Sequence, residues 1–129
     1  MIEQLLQALQ DYFSGFGMPA FPEDSVPEYD EAGQRIRPPY ITVQLACPAW
    51  RDSTPFHVRV WDRANNYKTV SAAVDAISAA IGEGESLPCQ GGAAYVFKGR
   101  PFCQFTPFRG DPTLKCALLN LNLMAHIHE

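Results

Sequence analysis

His126 and His128 stand two residues apart, a spacing that puts both imidazoles on one side of a β-strand. There they could share a metal ion, with Cys116, Glu129 or His57 as a third ligand. Histidines so placed are more often simply solvated, and the spacing alone specifies no site. The four cysteines, Cys47, Cys89, Cys103 and Cys116, contain no C-x-x-C pair, so structural zinc lacks its usual close ligand spacing. Residues 1–13 lack the basic n-region of an export signal, and free buried thiols are expected rather than disulfides. Cys103 with His57 is a nucleophile–base pair that can be drawn on paper, but no local signature links them. The carboxylates of Glu23, Asp24, Glu28, Asp30 and Glu31 cluster in a proline-rich stretch. They lack the register of a calcium loop and the rigid support that acid–base work needs, so a solvated face is expected. Gly91-Gly92 fits neither G-x-G-x-x-G nor G-K-[ST]. Arg109-Gly110-Asp111 spells an integrin-binding tripeptide, but a turn is expected instead, since its Gly and Asp suit turn dihedrals. The expectation is no catalytic residue, no cofactor and no metal.

The elements that would have to position such groups are clearer. With 129 residues and 47% apolar content, the chain is the size of one domain with one modest core. A net charge of −4 argues against a large basic face for nucleic acid, and no run is long and apolar enough to cross a bilayer. The organising stretch is 56–82. Phe56, Val58 and Val60 alternate with His57, Arg59 and Trp61 as in a strand. A polar connection (62–66) then offers Asn65 or Asn66 as a helix N-cap. Tyr67, Val70, Val74, Ile77 and Ile81 form the apolar stripe of a helix that ends at Gly82.

Ahead of this pair, Ile2, Leu5, Leu6, Leu9 and Phe13 mark an amphipathic helix over 2–13, without the Lys or Arg that would meet lipid headgroups. Residues 15–39 form a long loop punctuated by Gly and Pro, with Phe16, Met18, Phe21, Val26 and Tyr29 as apolar anchors and a turn at Asp30-Glu31-Ala32-Gly33. Tyr40 to Ala46 reads as a strand, joined through 47–55 as an antiparallel neighbour to the strand at 56–61. After Gly82, extended pieces are expected at 93–97 and 102–106, with a turn at 98–101. A last strand is expected over 113–128, with a bulge or bend at Leu118-Leu119. The fold class is α+β: a mixed or antiparallel sheet of about four to five strands, with two amphipathic helices packed on one face.

This order resembles the tail terminator (tail completion) proteins of long-tailed bacteriophages and prophages. The marks that carry it are the helix Ile2 to Phe13, the proline loop running into Pro39-Tyr40-Ile41-Thr42-Val43, the strand ending Val58-Arg59-Val60-Trp61, and the helix Tyr67 to Ile81. The 84–112 segment is less typical of the family. The resemblance implies a hexameric ring of identical subunits that caps the tail tube, contacts the tail tube protein and a head-completion protein, and lets DNA pass through its lumen. It implies no enzyme activity and no membrane partner. The protein would reside in the host bacterial cytoplasm during assembly and in the virion tail afterwards. On this view the 15–39 and 46–55 loops carry the subunit or tube contacts, with Arg35, Arg37, Trp50 and Arg51 as candidates. Two rival classes are another head–tail connector and a small α+β enzyme or ligand-binding module. The latter would line a pocket between sheet and helix with Tyr95, Phe97, Phe102 and Phe105.

Overall fold

Phe56, Val58 and Val60 are buried while His57, Arg59 and Trp61 are half-covered, so the alternation of this stretch survives in the folded chain. The computed structural model describes residues 2–44, 53–89, 91–107 and 110–127. Its elements in order are α1 (Ile2–Phe13), β1 (Ala20–Pro22), β2 (Tyr40–Gln44), β3 (Thr54–Arg63), α2 (Lys68–Ile81), β4 (Glu85–Cys89), β5 (Gly92–Pro107) and β6 (Leu114–Ile127). The strands form one sheet in the order β1-β2-β3-β6-β5-β4. Every pairing is antiparallel except β1 with β2, which makes the sheet mixed.

The fold is mixed α+β as expected, but among the described residues the sheet has six strands rather than four or five. Two strands escape the pattern because they carry almost none. β1 is only Ala20-Phe21-Pro22, and β4 has one buried residue, Leu87. The expected turn at 98–101 is instead a register shift inside the single strand β5, between Lys98 and Cys103. Gly99 allows the close approach there: a Cβ at that position would stand 2.9 Å from the Asn120 carbonyl oxygen. Asn120 in turn donates from Nδ2 to the Pro101 carbonyl at 2.8 Å and to Gln104 Oε1 at 3.2 Å. The irregularity therefore belongs to β5. The expected bulge at Leu118-Leu119 is absent, since both residues keep continuous register with Arg59 and Val58 on β3.

One row of side chains shows how the core forms. Val43 faces Val58, and Val58 faces Leu119 across the next ladder. Leu121, Leu123, Val96 and Leu87 continue the same inward face toward β4 and are buried. On the helices, Leu5, Leu9 and Phe13 of α1 and Val70, Val74, Ile77 and Ile81 of α2 bury into that same core. Each large side chain removed from water contributes about 1.5–3 kcal/mol. α2 crosses the middle of the sheet, over β3, β6 and β5, whereas α1 touches β4 at one edge and β1 and β2 at the other. The sheet is curled around both helices. α2 starts at Lys68, one residue later than the stripe suggests. Tyr67 at its N-cap makes no side-chain cap, while Asn66 Oδ1 accepts from the Lys68 N–H at 2.9 Å. Gly82 ends the helix with φ +52°, as its position predicts.

Both edges of the sheet are poor in free donors. On β1, the Ile41 N–H donates to the Pro19 carbonyl and the Glu23 N–H to the Val43 carbonyl, so Ala20 and Pro22 face away from β2. The Ala20 N–H is taken by Ser14 Oγ at 3.3 Å, and Pro22 has none. On β4, Pro88 occupies the strand interior. Proline is tolerated in such a ladder where its nitrogen faces away from the partner strand, so that edge lacks a donor too.

Candidate functional site

The connection between β1 and β2 runs from Glu23 to Pro39, and two ties fix where it goes. Glu23 Oε1 accepts from Arg59 Nη1 and, at 3.3 Å, from the Thr42 hydroxyl. Thr42 is buried and itself accepts from Trp61 Nε1 at 2.9 Å. Beside this network the Phe21 and Tyr40 rings meet edge to face, 6.0 Å between centroids. All of these side chains project on the sheet face opposite the helices, alternating with the buried Ile41, Val43, Val58 and Val60.

Beyond the ties the chain forms a small hairpin. The Ile36 N–H donates to the Glu28 carbonyl at 2.9 Å and the Asp30 N–H to the Gln34 carbonyl at 2.8 Å, with Tyr29 paired to Arg35. The expected turn at Asp30 to Gly33 is present. Asp30 Oδ1 accepts from the Gln34 N–H at 2.8 Å, and Gly33 adopts φ +80°, a left-handed conformation that suits glycine. Between this hairpin and the start of β2 lies a groove of about 580 Å3. Its apolar lining is Pro19, Phe21, Pro27, Tyr29, Ile36 and Pro39, and Asp30, Glu31, Arg35 and Arg37 supply its charges.

Of the four candidate contacts read from the sequence, Arg35 and Arg37 come together here, exposed and without an ion pair among the described residues. Trp50 and Arg51 lie outside the described residues. Tyr29 is a correction. Of the five apolar residues expected to anchor the loop, Met18 is buried and Phe16, Phe21 and Val26 are half-buried, but Tyr29 is 55% exposed. Glu23 also departs from the solvated face assigned to its cluster, because its ion pair to Arg59 holds it half-buried. Asp24, Glu28, Asp30 and Glu31 are exposed, as expected.

A second surface feature stands on the far flank of the sheet. Phe105 is 49% exposed, and its ring is 4.8 Å, centroid to centroid, from that of Tyr67 in an edge contact. The Lys115 ammonium sits 5.3 Å from the Tyr67 centroid and donates to the Pro112 carbonyl at 2.7 Å. Next to it, Asp111 binds Arg63 and the Thr113 hydroxyl and N–H. These bonds, that from Arg63 foremost, lower the Asp111 carboxyl to about 2. Asp111 is thus pinned into a turn, the role its place in the Arg-Gly-Asp triplet suggests.

The reactive pairings considered from the sequence do not assemble. Cys103 pairs with Leu119 on the helix side of the sheet, whereas His57 pairs with Asn120 on the opposite side. Burial raises the thiols of Cys89, Cys103 and Cys116, the last to about 11, opposite to what activates a nucleophile. These three cysteines are free; Cys116 is buried and the other two half-buried, while Cys47 lies outside the described residues. Among the described residues no three His, Cys, Asp or Glu side chains converge on a metal position. His128 and Glu129 fall outside those residues. The aromatic pocket of the rival class is not formed either. Tyr95 and Phe97 alternate with buried Ala94 and Val96 and so point away from the helices, Phe102 packs against the core, and Phe105 is half-exposed. No described helix is long and apolar enough to cross a membrane.

Compared with known proteins, the chain matches no family model, no curated protein and no solved structure. The exposure of Tyr29, Tyr95 and Phe105 is what sequence reasoning missed. An apolar residue in a loop or strand reads as an anchor, and nothing local announces that it faces water.

Proposed function

We propose that the chain is a structural subunit of a phage or prophage tail, acting as tail terminators do. Six copies close into a ring on the end of the tail tube, stop its growth and join it to the head-completion protein, with DNA passing through the lumen. The work is done in the host bacterial cytoplasm and persists in the virion tail. Such a subunit needs ordered protrusions on a fixed scaffold, because ring and tube contacts are made by surfaces rather than by a pocket. One observation carries the reading: the long β1–β2 connection is held to the sheet by Glu23, Arg59 and Thr42, yet it leaves Tyr29, Arg35 and Arg37 exposed. The element order from α1 through α2, with the proline loop between β1 and β2, supports it as well.

The test is to co-produce the protein with a tail tube protein from the same genome and image the tubes. Tubes of set length with a six-fold ring at one end are expected. Tubes whose length and ends are unchanged by its presence would overturn the reading, and a ring found instead at a portal or neck would favour another head–tail connector.

A further inference from the structure

Two features on opposite flanks of the subunit complement one another. Phe105, backed by Tyr67, projects from β5 with Lys115 beside it and the exposed Lys68 one residue beyond Tyr67. The groove beside β1 is apolar at Pro19, Phe21 and Tyr29 and carries the carboxylates of Asp30 and Glu31 at the hairpin turn. Knob and groove cannot meet within one copy. They are four places apart in the strand order. They also open on opposite faces, since Phe105 pairs with the inward Ala117 and Phe21 packs on the outward Tyr40. Strand addition is a poor alternative joint, because Pro22 and Ser14 close the β1 edge and Pro88 blunts the β4 edge.

We propose that Phe105 of one copy seats in the groove beside Tyr29 of the next, with Lys68 and Lys115 facing Asp30 and Glu31. The partner being a second copy rests on the ring reading above. A joint between two different patches is head-to-tail, and it repeats until rotation closes it into a circle. Arg35 and Arg37 also line the groove, so the cationic border of the knob meets the hairpin at its acidic turn rather than at its base.

The experiment uses the full chain with a photoreactive benzoylphenylalanine at position 105, mixed with isotopically heavy wild-type protein over a range of concentrations. The expected product is a light–heavy crosslink into the 19–36 segment. Glu31→Lys should weaken self-association roughly tenfold or more, because it sets like charges against each other across the joint, and Lys115→Glu in the neighbouring copy should restore it. Circular dichroism of each variant reports whether it has folded. Crosslinks between copies that map elsewhere would overturn this joint and leave the ring intact. Absence of any crosslink between copies would overturn it also, whereas rings on tube ends would still stand or fall by imaging.

Discussion

Arg59→Met should release the β1–β2 connection while leaving the core in place. The substitution keeps the apolar stem against the sheet and removes the guanidinium from Glu23. A hydrogen bond to a charged group is worth about 1.5–3 kcal/mol when one partner is lost. Here both side chains keep over a quarter of their surface in water, 29% and 27%, so screening reduces the figure to about 1–2 kcal/mol. Glu23 retains only the Thr42 hydroxyl, at 3.3 Å. A loss of that size should raise the population of the open connection about 5- to 30-fold. Trypsin reads this directly, since the Arg37–Pro38 bond resists it and the Arg35–Ile36 bond is its cleavage site on the hairpin. Under fast opening, cleavage there should accelerate by the same factor. Urea unfolding followed by tryptophan fluorescence gives the global loss, because Trp61 is tied to the same network through Thr42. The double variant Glu23→Gln with Arg59→Met should be little worse than either single change, with a coupling of about 1 kcal/mol. Additive losses with unchanged cleavage at Arg35 would refute the assignment of this pair as the tie.

Gly99→Ala should cost about 1–3 kcal/mol in urea unfolding, because the new Cβ would press on the Asn120 carbonyl, which as backbone cannot swing away. Wild-type stability would show the idea wrong. Asp111 has a depressed carboxyl, so its stabilising bonds are fully present above the ordinary value of 3.8 and fade as pH falls toward about 2. The stability gap between wild type and Asp111→Asn should therefore narrow between pH 4 and pH 2, and a gap that is flat with pH would count against the Arg63 tie. Cys116 is buried with its thiol raised to about 11, so iodoacetamide at pH 8 should label Cys89 and Cys103 well before Cys116 in the folded protein. Equal labelling of all three, by peptide mass analysis, would mean the β3–β6 region opens readily.

What could be read from residues alone follows from how many sides of an element are buried. β3 and β6 each have one buried face, so Phe56, Val58 and Val60, and likewise Leu119, Leu121 and Leu123, print a two-residue period. α1 and α2 likewise print theirs, in Leu5, Leu9 and Phe13 and in Val70, Val74, Ile77 and Ile81. β1 is too short to have a period, and β4 shows one inward residue between Ser86 and Pro88. In β5 the Gly99-Arg100-Pro101 run interrupts the alternation, so one strand reads as two. The candidate surface was half legible. Loop length and arginine content pointed to Arg35 and Arg37, whereas the exposure of Tyr29 and Phe105 depends on which partners the sheet leaves uncovered.

Val58 meets Leu119 across roughly sixty residues of chain, because β6 lies between β3 and β5 rather than at an edge. A nascent polypeptide that has reached only Pro107 holds two separate fragments, β1-β2-β3 and β4-β5, each with a naked hydrogen-bonding flank. Those flanks are adhesive to any other extended strand until 114–127 slides between them. Ribosome-bound or clipped forms of this protein should therefore be the ones that aggregate, well before any surface of the finished subunit comes into play.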